Sequence, residues 1–261
     1  MKEEFIFDST EHAATLAGAF FLTNLQFLMT LAFVTGGSRG LGLATAEALN
    51  KAGVEVVLFA TDGAKLQAAA AKLNGNYRIV DFSNLESSRE VLLEAVATFG
   101  APDILILAHG VMSEKMSKTL RTNIEEWRRV LTINLDSVFV ALNTVAPEMA
   151  ERRSGRIVIF SACLGRMSGP GNTGGLAPYR ISKAGVNALV RNFAHETNLG
   201  SRGLLVDAVC PNHTRTDMGG PDAPRSVEEG AETAVWLATR EFNPQTDQTG
   251  LLWEDRKVVP W

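Results

Sequence analysis

The chain reads as an α/β protein, a doubly wound, mainly parallel sheet in a single domain, and three observations lead there. Short apolar runs rich in β-branched residues alternate with longer stretches of helical period. A glycine-rich turn directly follows the apolar run at 31–35. No Pro/Ser-rich linker, internal repeat or low-complexity tract divides the remainder.

Taken in order, the N-terminal stretch is the odd one. No charged residue occurs between Ala13 and Ser38, which is long enough to raise the question of a membrane span. Thr23, Asn24 and Gln26 interrupt that run. Glu3 and Glu4 stand where a signal peptide carries positive charge, and no small-residue cleavage site follows. Its last part, 31–35, reads as a buried strand, and one segment cannot both cross a bilayer and sit inside a soluble sheet. Residues 1–28 are therefore expected to be an extension, with a short helix around 11–28 lying on the domain or on a neighbour. The domain proper spans 29–261, and Met29 is a reasonable start for it. Anchoring to a membrane through 13–30 is the competing reading.

Strands are expected at 31–35, 55–59, 78–80, 104–108, 156–160 and 204–209. Helices are expected at 41–51, 64–73, 85–98, 124–152 and 179–199. Strand–helix alternation means right-handed crossovers and helices on both faces of the sheet.

Composition narrows the function classes. Of 261 residues, 46% are hydrophobic and 21% charged, enough for a sizeable core. A net charge of -4 without a basic run argues against nucleic acid or an anionic membrane as partner. Two cysteines, Cys163 and Cys210, cannot make a disulfide framework, which fits a cytoplasmic location. The four histidines lack ligand spacing, so no metal site is expected.

Two motifs carry chemistry. Thr35-Gly36-Gly37-Ser38-Arg39-Gly40-Leu41-Gly42 lies between a strand and a helix. A phosphate needs close backbone approach without Cβ atoms, and amide N–H groups at a helix N-terminus aimed at its charge. Gly36, Gly40 and Gly42 supply the approach, so Gly36, Ser38, Arg39, Gly40, Leu41 and Gly42 are candidate dinucleotide contacts on a Rossmann-type fold. The second motif is Tyr179-Arg180-Ile181-Ser182-Lys183. Four-residue spacing puts Tyr179 and Lys183 on one helical face. A free phenol titrates near about 10, and a neighbouring ammonium is expected to lower that value. The pair is then a general acid for a carbonyl or a general base for an alcohol.

Together these motifs resemble the short-chain dehydrogenase/reductase family over roughly residues 30–261, with a C-terminal stretch similar to its carbonyl-reductase branch. The resemblance implies hydride transfer between nicotinamide and a small carbonyl or alcohol, with Tyr179 exchanging the proton. Lys183 would hold the nicotinamide ribose, and Asn134, in Ile133-Asn134-Leu135, would kink a helix and orient a relay water. Asp81-Phe82 matches the adenine contact and Gly110 the turn after the fourth strand. Pro211 to Thr216 matches the loop on the carboxamide, through Thr214 and Thr216.

Three departures stand out. The family's Ser-Ser pair reads Ser161-Ala162, so alanine occupies the place of the substrate-binding serine, and Ser161 is expected to stand in partly. Asn-Asn-Ala-Gly reads Leu107-Ala108-His109-Gly110. Pro-Gly reads Pro211-Asn212, where Asn still tolerates a left-handed backbone. His109 and His213 are expected to be core or rim residues.

The second strand run ends Phe59-Ala60-Thr61 with no carboxylate to repel a 2′-phosphate, and Arg39 is placed to pair with one. NADP(H) is thus expected over NAD(H). The glycine-rich segment 165–178, with Met167, Pro170 and Leu176, is expected to border the substrate pocket together with 218–224. It suits a ketone, aldehyde or quinone. Oligomeric state stays open. The alternative is a catalytically weak NADP(H)-binding sensor or scaffold.

Overall fold

The computed structural model describes residues 30–114 and 117–261; the expected extension over 1–28 lies outside them. Eight strands form one sheet in the order β3-β2-β1-β4-β5-β6-β7-β8. They are β1 (Leu31–Thr35), β2 (Glu55–Ala60), β3 (Asn76–Ile79), β4 (Ile104–Leu107), β5 (Gly155–Phe160), β6 (Leu204–Val209), β7 (Leu252–Glu254) and β8 (Lys257–Val259). All neighbours pair in parallel except the closing β7–β8 hairpin.

The inner strands read as unbroken apolar runs because both faces are covered. Leu31, Phe33, Val57, Phe59, Leu105, Leu107, Ile157 and Ile159 face one layer, while Ala32, Val34, Val56, Leu58, Ile106 and Val158 face the other. The first layer is closed by α3 (Leu85–Phe99), α5 (Ser137–Arg152) and α6 (Ala177–Glu196). The second is closed by α1 (Gly40–Lys51), α2 (Gly63–Lys72) and α7 (Val227–Thr239). Among the described residues, one helical stretch, Ile124–Arg152, is long and apolar enough to cross a bilayer. In this fold its stripe of Val138, Ala141, Leu142, Val145 and Met149 is buried in the core.

The expected helix over 124–152 is not continuous. It comprises α4 (Ile124–Leu131), a π turn (Thr132–Asp136) and α5, with Asn134 inside the widened turn. Two parts of the fold were not expected. Helix α7 begins with a complete capping box between Ser226 and Glu229. The β7–β8 hairpin turns at Asp255-Arg256, both at positive φ, and Arg225 pairs with Asp255 at 2.7 Å to hold it.

The chain order reverses between β1 and β4. A crevice opens there beyond the carboxyl ends of the strands, the usual place for a ligand in an open α/β sheet.

Candidate functional site

The crevice is a cleft of about 440 Å³ lined by the glycine loop, the ends of β2 and β4, and the loop after β6. The glycines are there for space. A Cβ on Gly42 would stand 2.3 Å from the Gly36 carbonyl oxygen, so only glycine lets α1 start this close to β1. Gly36 itself has φ +67° and lies against the backbone of Ala108. The loop thus leaves a backbone-lined cradle at the N-terminus of α1 that side chains would fill.

Gly36, Ser38, Arg39, Gly40, Leu41, Gly42, Asp81, Phe82, Gly110 and Thr216 all line the cleft. Ala60 and Thr61 lie on its wall, and Asp62 just beyond is occupied in capping α2 through Lys65 N at 3.1 Å. No carboxylate of the β2 end therefore faces the cleft. Arg39 is well exposed and ion-paired with Asp217, a residue of the opposite lip that sequence reasoning passed over.

Tyr179, Lys183 and Asn134 converge just behind Gly110. A Cβ at Gly110 would be 3.2 Å from Asn134 Oδ1 and 3.7 Å from Lys183 Nζ, and Nζ is 6.0 Å from the Tyr179 ring centre. Asn134 is fully buried. Its side chain accepts from Val111 N at 2.7 Å, donates to Val111 O at 2.9 Å and donates to Ser182 Oγ at 3.0 Å. The π turn aims this amide at the loop after β4.

Lys183 Nζ donates to the Phe160 carbonyl at 2.7 Å, and burial brings the ammonium down to about 8. Burial also pushes the Tyr179 phenol up, with Cys210 and Cys163 adding to the rise. The expected lowering of the phenol by Lys183 is therefore reversed: burial dominates, and the ammonium is engaged by the strand carbonyl. The Tyr179 hydroxyl has no hydrogen-bond partner among the described residues.

Ser161 is not brought to the cleft, and the expectation that it stands in for the missing serine is corrected. Its hydroxyl donates to Asn187 Oδ1 and lies 3.3 Å from the Lys183 carbonyl. The reason is strand alternation: Ser161 continues the face of Ile157 and Ile159, which α6 covers. Ala162 takes the opposite direction and touches the Tyr179 cluster with Val130. Pro211 and Thr214 are not on the cleft wall; the Thr214 hydroxyl turns back to Pro211 O at 3.0 Å. Asn212 has φ +60°, the left-handed conformation its side chain tolerates.

His109 is buried and neutral. It hydrogen-bonds Thr35 Oγ1 at 2.6 Å and Ser137 Oγ at 2.7 Å, and stacks on Phe82 with ring centres 3.8 Å apart. Burial and then the charge of Lys183 bring it down to about 3. Arg180 holds the 165–178 segment, donating to Gly175 O at 2.9 Å and Pro170 O at 3.1 Å.

With this geometry, a dinucleotide cleft and a Tyr–Lys–Asn group at its end, the chain has the layout of a nicotinamide oxidoreductase of the doubly wound class. The short chain dehydrogenase family model matches residues 30–226, and the chain belongs to that family. It is 35% identical over 196 residues to the 3-oxoacyl-(acyl-carrier-protein) reductase FabG of Escherichia coli, covering 74% of this chain and 77% of that one. Its fold matches a structure titled ribose-5-phosphate isomerase from Brucella melitensis at TM-score 0.75 and 26% identity, over 85% of this chain and 89% of that one. It also matches an actinorhodin polyketide ketoreductase solved with NADPH at TM-score 0.75, over 87% of this chain and 95% of that one. At 24% identity the last likeness concerns the fold alone. Differing reactions in these names are a reminder that the site decides the chemistry.

Proposed function

We propose that the protein is an NADP(H)-dependent ketoreductase acting on a small carbonyl compound, with a 3-oxoacyl thioester as the first substrate class to test and the cytoplasm as its location. The observation that carries this reading is the placement of Tyr179: a buried residue grouped with Lys183 and Asn134 behind Gly110 of the cleft wall, its hydroxyl without a hydrogen-bond partner among the described residues. A protonated phenol is what a carbonyl needs as it becomes an alkoxide. The bound cofactor would supply the hydride to the carbonyl carbon.

The chain's own residues divide the remaining work. The glycine loop and the N-terminus of α1 hold the pyrophosphate, and the backbone cradle at Gly36 and Gly42 fits it. Arg39, with no carboxylate on the β2 wall, favours a 2′-phosphate. Asp81 and Phe82 border the adenine end, and Thr216 the nicotinamide end. Lys183 serves the ribose, and Asn134 fixes the loop after β4 and the relay beside Lys183. Names of relatives from ketoacyl reduction support a narrower substrate class than the carbonyl-reductase branch.

One feature favours a second reading, a weak catalyst that mainly binds NADP(H). Ala162 supplies no donor to the developing oxyanion, and Ser161 is turned away. The experiment follows consumption of NADPH with a panel of ketones, aldehydes, quinones and 3-oxoacyl thioesters, for the parent and Ala162→Ser. Turnover by the parent, raised by Ala162→Ser, is expected. Restoring one such donor is worth up to about 10²-fold in kcat. Tight NADPH binding without turnover in either protein overturns the ketoreductase reading in favour of the second.

A further inference from the structure

We propose that Cys163 and Cys210 are a peroxide-responsive thiol pair, closing to an intramolecular disulfide beside Tyr179 and slowing turnover. The two residues follow the ends of neighbouring strands, β5 and β6. The β5–β6 register pairs Phe160 with Val209, and Ser161 N continues it by donating to Val209 O at 2.8 Å. Cys210 is the next residue on one side. On the other, the chain bends through Ala162 into a short turn, Cys163–Gly165, which brings Cys163 N to 3.0 Å from Cys210 Sγ. That sulfur already touches the backbone of its would-be partner. Closure needs the Cys163 sulfur to reach the same Cys210 sulfur that its own backbone N–H already meets.

The two thiols are unequal in the way such chemistry requires. Cys163 is half-buried and Cys210 buried. A hydrogen bond from Cys210 holds the Cys163 thiol down at about 7, while that bond and burial push Cys210 up. Cys163 is thus the thiolate that reacts and Cys210 the protonated thiol that resolves. In the first step the Cys163 sulfur attacks one oxygen of hydrogen peroxide. An S–O bond forms, the O–O bond breaks, and hydroxide leaves, giving a sulfenic acid. In the second, Cys210 gives up its proton and its sulfur displaces the sulfenic oxygen, which departs as water. Overall two thiols and one peroxide become one disulfide and two waters.

The position gives the bond a consequence. Cys163 follows Ala162, which touches the Tyr179 cluster, and Cys210 precedes Pro211 of the loop expected on the nicotinamide. Both thiols also act on the phenol's acidity. A disulfide would tie the turn under Tyr179 to the root of that loop, restricting the movement that admits and releases cofactor. Only the effect on turnover rests on the proposed ketoreductase function.

The test treats the reduced full chain with hydrogen peroxide, then counts free thiols and records intact mass on the denatured chain. Because the chain has 2 cysteines in all, the count is unambiguous. Expected are a fall from both thiols to none, loss of two hydrogens in mass, a monomeric non-reducing band, and a several-fold drop in turnover reversed by dithiothreitol. Cys163→Ser, compared with its own untreated rate and its own NADPH affinity, does not respond to peroxide. Cys210→Ala adds oxygen at Cys163 and forms no disulfide. Unchanged thiols, oxygen addition in the parent, a disulfide between chains, or the same peroxide loss in Cys163→Ser overturns the proposal. If no carbonyl is turned over, thiol count and mass still decide the disulfide, and NADPH affinity before and after peroxide replaces the rate.

Discussion

Two buried polar clusters stand along the sheet, one around Asp207 on β6 and the other around Tyr179 and Lys183 on α6. Asp207 receives four donors: Trp253 Nε1 at 2.9 Å, Arg240 Nη2 and Thr249 Oγ1 each at 3.1 Å, and Leu251 N at 3.3 Å. Arg240 lies close to the rings of Trp236, Trp253 and Phe242. Burial still pushes the carboxyl up, yet each oxygen has partners. In the second cluster Lys183 and Asn134 are engaged by the protein, whereas the Tyr179 hydroxyl has no partner among the described residues. The first cluster fastens β6 to β7 and to the end of α7; the second keeps one group in reserve for chemistry.

The largest effects should separate the clusters by kind. Tyr179→Phe is expected to cut turnover by about 10²–10⁴-fold while leaving the unfolding midpoint and NADPH affinity nearly unchanged. Asp207→Ala is expected to cost about 3–5 kcal/mol of stability, because it strands the buried Arg240 charge. That is a large share of a typical domain's margin. Denaturant unfolding beside steady-state rates checks both. A Tyr179→Phe protein that turns over normally would show that the proton comes from elsewhere. An Asp207→Ala protein of parental stability would show that the four-donor cluster is not a fastening.

His109 sharpens the contrast, since it lies in the site yet is satisfied on both ring nitrogens. Its proton affinity in the fold, about 3, is below the unfolded value of 6.5. As pH falls through 6.5 the unfolded chain takes up a proton that the folded chain refuses, so the fold loses stability from there down towards 3. The stability advantage of the parent over His109→Ala should therefore be constant above neutrality and shrink by a few kcal/mol in acid. Unfolding titrations across that range decide it. A gap that stays constant in acid would mean that His109 is protonated without penalty.

Much of this layout is legible in residues, and the parts that are not have identifiable causes. The apolar runs give the inner strands because a doubly covered sheet leaves them no polar face. The glycine loop is readable because close approach admits few residue types. Helix α7 was missed although a local signal was present, since Ser226-Val227-Glu228-Glu229 spells its capping box. The β7–β8 turn was not: Asp255-Arg256 lacks the Asn-Gly signature, and its support comes from Arg225, far away in sequence. Alternation along β5 was enough to send Ser161 towards α6 rather than the cleft. The stacking of His109 on Phe82, the thiol pair and the Arg39–Asp217 contact join distant segments that no local pattern connects.

The smallest expected effect lies at the cleft rim, where neither kind of burial operates. Arg39 and Asp217 are both well exposed, so their ion pair is worth at most about 1 kcal/mol. A guanidinium hydrogen-bonded to a 2′-phosphate is worth about 1.5–3 kcal/mol. A bound 2′-phosphate would therefore win Arg39 from Asp217, at a net gain below the full value of the new bond. Arg39→Ala should weaken NADPH by about tenfold and leave NADH nearly unchanged, narrowing their ratio. Asp217→Asn should act in the opposite direction and more weakly, tightening NADPH by no more than about fivefold, because it releases Arg39 and removes a repelling carboxylate. Titrating both cofactors against the three proteins checks the pair at low and at high salt, where screening should shrink the Asp217→Asn effect first. A ratio that ignores Arg39→Ala would remove Arg39 from the phosphate. Tightening of NADH equal to that of NADPH in Asp217→Asn would make Asp217 a general barrier at the lip, with no hold on Arg39.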